Sequence, residues 1–343
     1  MAVGLVYDPI YLKHDTGQHV ETARRLEAVL AYLEQGGLKS RLTPVSPRPA
    51  TVEELARVHT GAHIAYVRKV AGEGGGWLDP DTVVSPASYE AALYAAGGVL
   101  RAVEAVVRGE VASGFALVRP PGHHATAAQA MGFCLFNNVA VAARHALAEY
   151  NLERLVIVDF DLHHGNGTQE AFYDDPRVLY ISVHQFPHYP GTGRVEETGR
   201  GKGEGSTINI PLPAGCGDAE YAAVFEQVVL PLARRFAPRL VLVSAGYDAH
   251  QADPLGDMRL STAGFAGMVA GLRELAGECC GGGLVLSLEG GYHLAALAAS
   301  VGATLAVLLG DDGVAGPPGP PSPSPAPDIG PLLARVKAVH RLG

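Results

Sequence analysis

The chain has 343 residues, 48% of them hydrophobic and 18% charged, which fits a globular protein with a sizeable core in one large domain or two ordinary ones. The net charge of −9 argues against a nucleic-acid groove and weakly favours a cationic substrate. The cysteines show no CxxC spacing, which argues against zinc fingers and a disulfide framework. Neither a secretory signal nor a membrane span is visible, so the cytoplasm is the expected location and no membrane partner is expected.

Short apolar runs alternate with helical patterns along most of the chain. Strands are predicted at residues 3–7, 114–118, 155–158, 177–183, 208–210, 240–243 and 284–288. Helices are predicted at residues 20–32, 51–59, 62–70, 85–107, 136–150 and 218–236. A further helix is predicted to begin at 261, and a last helix is predicted to end near 309. Thr51 with Glu54 forms a capping box, Asp218 is expected to cap its helix, and 79–85 is expected to be a loop.

This alternation predicts an α/β fold with one open, mostly parallel sheet and helices on both faces. Residues 1–310 would form this single domain. Residues 311–330 are dominated by Pro, Gly, Ser and Ala and are predicted to be a linker. Residues 331–343 form a short basic segment that is either a helix docked on its own or a neighbouring chain, or a solubilising tail.

Polar clusters follow the ends of five predicted strands. They contain His123 and His124, the run from Asp159 to His164, His184, Asp248, and Tyr292. In open α/β sheets, ligands bind outside the carboxyl ends of the strands. We therefore expect these clusters to share one crevice.

Asp161 and His163 are the first candidates for metal ligands in that crevice. The period of two along an extended backbone places both on one side, together with Asp159. Asp248 is the natural third ligand, and an Asp-His-Asp set leaves an open coordination position for catalysis. Zinc is the first choice of metal, although two carboxylates also suit Fe²⁺ or Mn²⁺. The simpler alternative is that Asp161 and His163 are only the polar cap of the next helix.

His123 and His124 would serve acid–base chemistry on an amide. A water activated by the metal must lose a proton and the leaving amine must gain one, so two imidazoles suit the task. Asp159 is not needed as a metal ligand, so its carboxylate could keep His123 protonated. The Asn166 side chain could orient His124 without adding a charge. Tyr292 follows two glycines and could donate its hydroxyl hydrogen to a developing oxyanion.

Several of these motifs together resemble the zinc-dependent histone deacetylase family. They are RPPGHH (119–124), GFC (132–134), DFDLHHGNGTQ (159–169), SAGYDAHQADPLG (244–256) and LEGGY (288–292). The resemblance implies an arginase-like fold in one catalytic domain and hydrolysis of acyl-lysine or acetylpolyamine amides. It implies zinc ligation by Asp161, His163 and Asp248, with His124 as the principal base and acid. Asn166 resembles the class II branch of the family, whereas class I members have an aspartate at this position.

The resemblance also implies roles that no pattern in this chain establishes alone. Phe133 and Tyr189 would wall a tunnel for the acyl-lysine stem, and Arg25 would lie near an inner acetate pocket. Structural potassium is implied at two sites. The first would use Asp159, Asp161, His163, Ser182 and Val183, and the second would use Phe172, Asp175, Val178 and Ser206.

The chain departs from the family pattern at three positions. Val20 and Ala23 replace prolines of the HPxxPxR segment, which affects the rim loop and not the chemistry. Leu255 stands where polyamine-selective members carry a glutamate, which favours acyl-lysine over an acetylpolyamine.

Three other functions are alternatives to a lysine deacylase. The first is an acetylpolyamine amidohydrolase. The second is an arginase-like dimanganese hydrolase, although His250 stands where its second Asp would be needed. The third is a catalytically inactive acyl-lysine binding protein, although it would be expected to lack Tyr292 or the histidine pair. The sequence leaves the oligomeric state open.

Overall fold

The computed structural model describes residues 2–311 and 325–342. Most of the predicted linker at 311–330 therefore lies outside the described residues. Among the described helices, none is both long and apolar enough to cross a membrane.

Eight strands form one sheet, and every pairing within it is parallel. The described strands are β1 (Val3–Val6), β2 (Thr43–Val45), β3 (Gly76–Asp79), β4 (Thr82–Val84), β5 (Ser113–Ala116), β6 (Leu155–Asp159), β7 (Val178–Gln185), β8 (Thr207–Leu212), β9 (Leu240–Ala245) and β10 (Leu284–Leu288). The order in the sheet is β2-β1-β5-β10-β9-β6-β7-β8. This confirms the predicted single, mostly parallel sheet.

Helices pack on both faces of this sheet. They are α1 (Arg24–Gln35), α2 (Val52–Leu55), α3 (Gly61–Gly72), α4 (Ser88–Val107), α5 (Asn138–Glu149), α6 (Asn166–Phe172), α7 (Asp218–Val224), α8 (Leu230–Phe236), α9 (Thr262–Cys280), α10 (Leu294–Leu309) and α11 (Gly330–Val339). Helix α4 packs with α5, whereas α10 packs with α1 and α9. Strands β6, β9 and β10 have no exposed residue. A strand that is buried on both faces needs apolar side chains at successive positions, which explains the continuous apolar runs in the sequence.

The register of the central strands places the polar clusters at one edge. Asp159, the last residue of β6, lies level with Ser182 of β7 and Ser244 of β9. Because all these strands are parallel, the segments that follow them emerge on the same side of the sheet. The sheet therefore brings together residues that are far apart in sequence.

Two local predictions were wrong. The predicted loop at 79–85 is largely an antiparallel hairpin of β3 and β4, in which Trp77 pairs with Val83. Asp218 does not cap its helix, because Gly217 occupies the cap position, and its carboxylate instead accepts bonds from the N–H and hydroxyl of Ser261 (2.8 and 2.5 Å).

The helix predicted at 218–236 contains a π-helical turn at Phe225–Val229. Pro231 follows this turn and has no N–H with which to continue the α-helical ladder, which explains the interruption.

Helix α11 packs on the body of its own chain through Leu333 and Val336, which are buried. Arg235 donates to the carbonyls of His340 and Arg341 at its end (2.8 and 3.0 Å). The end of the described chain is therefore tied to the surface near β8 and the π-helical turn.

His59 is a buried histidine whose two ring nitrogens are both used in the fold. Its Nδ1 donates to the Thr126 carbonyl (2.9 Å), and its Nε2 accepts from the Asn137 N–H (2.8 Å). Burial, and then the neighbouring His63, lower the pKa of His59 to about 3. The unfolded chain takes up this proton near pH 6.5, so the stability that neutral His59 contributes is lost as the pH falls from about 6.5 toward 3.

We therefore expect His59→Gln to be less stable at pH 7 but less sensitive to acid. Between pH 6 and 4, its free energy of unfolding should fall less steeply than that of the wild type, by up to about 1.4 kcal/mol per pH unit. Urea titrations of both proteins at several pH values measure this difference. Parallel curves would show that His59 is not the titrating group.

Candidate active and metal site

Asp161, His163 and Asp248 form a compact buried group beyond the ends of β6 and β9. Each offers one ligand atom, and these atoms all lie within 4.8 Å of one another. The His163 Nδ1 is 3.0 Å from the Asp248 carboxylate and 3.2 Å from that of Asp161. Gly290 makes room for the group, since a Cβ there would lie 2.3 Å from an Asp248 oxygen.

Backbone N–H groups orient the two carboxylates. Asp161 accepts from the N–H of His163 (2.9 Å) and of Gly290 (2.8 Å), and Asp248 accepts from that of Leu162 (2.9 Å). Burial disfavours charge on His163, yet Asp161 and Asp248 raise its pKa to about 9. This concentration of negative charge around one imidazole fits a bound divalent cation, and the donor set of one nitrogen and two carboxylates suits zinc, Fe²⁺ or Mn²⁺.

The histidine pair lies beside this group, with ring centroids 4.0 Å apart. The His123 Nδ1 donates to the Asp159 carboxylate (3.1 Å), and the His124 Nδ1 is 2.8 Å from the side-chain oxygen of Asn166. Both imidazoles are nearly completely buried. The structure thus pairs His123 with Asp159 and His124 with Asn166, as predicted from the sequence.

The surroundings give the two imidazoles opposite charge states. Burial lowers the pKa of His123, but Asp161 and Asp159 outweigh it and raise the pKa to about 10. Burial, together with His123 and His163, holds the pKa of His124 well below its usual value. These surroundings favour a protonated His123 and a neutral His124, so His124 is the imidazole able to accept a proton.

Tyr292 faces the same cavity from the loop after β10. The chain turns at Gly291, whose φ of 117° is a conformation open mainly to glycine. Burial raises the pKa of Tyr292 well above its usual value although the Arg25 guanidinium opposes this, so the phenol keeps its proton. It can therefore act as a hydrogen-bond donor.

Asp253 holds the Tyr292 loop, a role that sequence reasoning did not find. One carboxylate oxygen accepts from the N–H groups of Tyr292 (2.6 Å) and His293 (3.0 Å), and the other accepts from that of Leu255 (3.1 Å). Asp253 therefore ties the loop that carries Asp248 to the loop that carries Tyr292. Its position between Asp248 and Leu255 in one motif was the available signal.

Two further buried groups support the histidine pair and were also missed. Glu289 accepts from the N–H groups of Gly122 (2.6 Å) and His123 (3.1 Å), and Tyr180 donates its hydroxyl hydrogen to Asp159 (3.1 Å). Burial raises the pKa of Glu289 to about 7. Glu289 was visible in the LEGGY motif, whereas nothing in the sequence pattern marked Tyr180.

These groups line or underlie a cavity of about 460 Å³. Its wall includes His123, His124, Phe133, His163, Tyr189, Leu255, Gly290 and Tyr292. His19, for which sequence reasoning predicted no role, lies in the wall and packs edge-on against Phe133 (4.6 Å between centroids). A larger cavity of about 530 Å³ lies near the starts of β9 and β10 and contains none of the clustered residues.

Arg25 lies behind Tyr292 and not in the wall of the cavity. Its guanidinium is fully buried, donates to the carbonyls of Gly291 (2.7 Å) and Glu289 (2.5 Å), and stacks 4.9 Å from the Tyr292 ring. These contacts position the tyrosine loop. Contact between Arg25 and a substrate group stays a prediction.

The residues predicted to hold potassium fall into two separate groups. Asp159 and Ser182 lie side by side on neighbouring strands, and both are fully buried. The Asp175 carboxylate is occupied by Arg144 and Arg177, which leaves the carbonyl as its available ligand. Both groups offer oxygen atoms, which suit a hard cation.

A single parallel sheet of eight strands, with a buried cluster of acids and imidazoles at its carboxyl edge, is the framework of a hydrolase with the arginase/deacetylase fold. The family model of the histone deacetylase domain matches residues 19–308. The chain belongs to this family.

Two known proteins that are similar to the chain are named as deacetylases. The chain is 40% identical over 351 residues to histone deacetylase 14, chloroplastic, of Arabidopsis thaliana, with 96% of the chain and 83% of the relative covered. It is 41% identical over 297 residues to a probable deacetylase of Archaeoglobus fulgidus, with 86% and 82% covered. The crystal structure of the HDA15 HD domain matches with a TM-score of 0.90 and 38% identity, covering 99% of the chain and 94% of that structure. These relatives support a deacetylase function.

We expect Asp253→Ala to reduce kcat for deacetylation at least tenfold while leaving bound metal unchanged. The variant frees the backbone of Tyr292 but removes none of the candidate metal ligands, and small displacements of a reacting group cost about this much. Steady-state kinetics with metal analysis of the same samples measures both quantities. Asp8→Ala is the control, because Asp8 also accepts a backbone N–H, that of Ile10, but on the first strand's loop. Loss of metal in Asp253→Ala would contradict this role.

Proposed function

We propose that the chain is a metal-dependent amidohydrolase that removes acetyl or other short acyl groups from the side-chain amine of lysine. The observation that carries this proposal is the convergence of the buried Asp161, His163 and Asp248 group with the histidine pair and Tyr292 on one cavity. A metal site alone would also suit a structural ion. The adjacent base, acid and hydroxyl donor favour catalysis.

In this proposal Asp161, His163 and Asp248 hold zinc, with Fe²⁺ or Mn²⁺ as alternatives. Such an ion lowers the pKa of water and polarises a carbonyl oxygen. The backbone N–H groups that bind both carboxylates keep these ligands fixed before the metal arrives.

The histidine pair would move the protons. Because the Nδ1 of His124 is directed at Asn166, its Nε2 keeps a lone pair that can accept a proton from the attacking water. The same nitrogen can then return that proton to the leaving amine. His123, held as a cation by Asp159, would stabilise the negative charge that develops during attack.

The cavity wall would select the substrate. Phe133 and Tyr189 present aromatic surfaces that suit the apolar stem of an acylated lysine, and Tyr292 would donate to the acyl oxygen as it becomes negative. Leu255 offers no charge to a distant ammonium, which favours acyl-lysine. An acetylpolyamine is the second candidate, because Asp81 at the mouth could attract a cation.

Structural potassium would occupy the two oxygen-rich groups. The first would involve Asp159, Asp161, His163, Ser182 and Val183, and the second would involve the carbonyls of Phe172, Asp175, Val178 and Ser206. The first group includes two of the proposed metal ligands, Asp161 and His163, and a cation there would also offset the charge of the buried Asp159.

We expect Tyr292→Phe to keep its metal and to lose roughly a hundredfold or more in kcat, as removal of an oxyanion donor does elsewhere. Tyr247→Phe is the control, because Tyr247 is a buried tyrosine next to Asp248 in sequence, but its hydroxyl pairs with Thr304 (2.9 Å). Hydrolysis of an acetyl-lysine peptide and metal content should be measured together. Equal activity of both variants would remove Tyr292 from the mechanism.

We expect chelation to abolish turnover and re-addition of zinc, Fe²⁺ or Mn²⁺ to restore it, whereas Asp248→Ala should bind no metal and stay inactive. Asp257→Ala is the control, because it removes a carboxylate of the same loop that contacts Gln185 (3.3 Å) and not the ligand group. Acetyl-lysine peptides, longer acyl-lysines and acetylpolyamines should be compared in one assay. Preference for an acetylpolyamine would replace the proposed substrate, and full activity in the presence of chelator would refute metal dependence.

A further inference from the structure

The hairpin of β3 and β4 presents the most exposed of the large hydrophobic side chains in the described part of the chain. Trp77 is 61% exposed, although it pairs with Val83 across the hairpin. Its neighbour Leu78 packs against the core, whereas the Trp77 side chain is turned to solvent. The hairpin is therefore anchored on one face through Leu78 and carries an indole on the other.

This hairpin borders the mouth of the catalytic cavity. Asp81, in the turn between β3 and β4, lines the cavity and lies 3.1 Å from the Nε2 of His19. Val20 and Tyr189, also large exposed hydrophobic residues, line the same mouth. Trp77 lies on the same hairpin, two residues before Asp79, and is not among the residues of the cavity wall. The hairpin therefore carries one residue of the wall and an exposed indole outside it.

The same rim is acidic. Burial raises the pKa of Tyr189, and the charges of Asp79, Cys134 and Asp81 add to this effect. Asp81 is largely exposed, and its one partner within the described residues is His19. An apolar ring beside exposed acids complements a peptide that carries a basic side chain near an apolar one.

A single exposed hydrophobic side chain needs no special explanation. Trp77 differs because its hairpin also carries Asp81, which lines the entrance together with the exposed Val20 and Tyr189, and the proposed substrate of this site is one side chain of a longer chain. Tryptophan and tyrosine are also the residues that most often dominate the binding energy of interfaces.

We propose that the β3–β4 hairpin is the docking surface for the polypeptide that flanks the acylated lysine, with Trp77 as its apolar anchor and the acids at the rim favouring a neighbouring basic residue. This inference rests on the proposed function and adds the surface that distinguishes a peptide from a free acyl-lysine. An isolated acyl-lysine fills the tunnel without reaching Trp77, so only substrates with flanking residues use this surface.

Kinetics of Trp77→Ala on two substrates tests the proposal. With an acetyl-lysine peptide that has two or three residues on each side, including one arginine, KM should rise roughly five- to tenfold with kcat unchanged. With Nε-acetyl-lysine amide, both constants should stay unchanged. Trp77→Phe should restore most of the affinity for the peptide, because it retains an aromatic ring.

Tyr32→Ala is the matched control variant. Tyr32 is also exposed (43%) but lies seven residues along α1 from Arg25, with its ring against Gly302 of α10. Its removal should leave KM for both substrates unchanged. A rise in the peptide KM in Tyr32→Ala equal to that in Trp77→Ala would overturn the proposal.

Trp77 is the only tryptophan of the chain, so its fluorescence reports docking directly. Metal-loaded Tyr292→Phe protein, in which turnover is slow, should show a shift of emission on titration with the peptide and no shift with Nε-acetyl-lysine amide. Peptide binding that leaves the emission unchanged would overturn the proposal.

The outcomes separate this inference from the proposed function. If wild-type protein hydrolyses none of the acylated substrates, the proposed function fails. If it hydrolyses the peptide but Trp77→Ala has the same KM, only the docking surface is refuted. Efficient turnover restricted to acetylpolyamines, unaffected by Trp77→Ala, would also refute the docking surface.

Discussion

The site depends on burying three carboxylates next to one another at the carboxyl edge of the sheet. Asp159, Asp161 and Asp248 are all at most 1% exposed. Like charges in a medium of low dielectric constant repel strongly, so the arrangement persists only if cations and hydrogen-bond donors surround it. This repulsion is offset by backbone N–H groups, by the cationic His123 and by the metal proposed here. The same cations and hydrogen-bond donors that would serve the chemistry therefore also stabilise the buried carboxylates.

Much of this arrangement could be predicted from the sequence because its signals are local. Apolar runs that end in polar clusters marked the strand ends, and parallel strands must place such ends on one edge. The pairing of His123 with Asp159 and of His124 with Asn166 followed from the chemistry that each imidazole needs. The order β2-β1-β5-β10-β9-β6-β7-β8 could not be deduced, because the alternation of strands and helices is compatible with many orders.

The features that escaped prediction depend on contacts between distant segments or on very short elements. Asp253 binds the backbone of Tyr292, which is 39 residues away, and no pattern within either segment shows this contact. The hairpin at 76–84 has strands of four and three residues, too short for an alternation to be recognised. Its stability comes from packing against α3, which the sequence does not reveal. Trp77 therefore had no visible relation to the cavity.

A buried ionic cluster joins the loops that carry the reacting side chains. Glu21 accepts from Arg119 (2.6 Å) in the segment before His123, and from Arg25 (3.1 Å), which stacks on Tyr292. All three charged side chains are fully buried, and the two arginines hold the pKa of Glu21 well below its usual value despite its burial. Removing Glu21 would leave both arginines without a counter-charge in the interior, which costs several kcal/mol. The relative placement of the histidine pair and the tyrosine is thus fixed by charge pairing beneath the cavity.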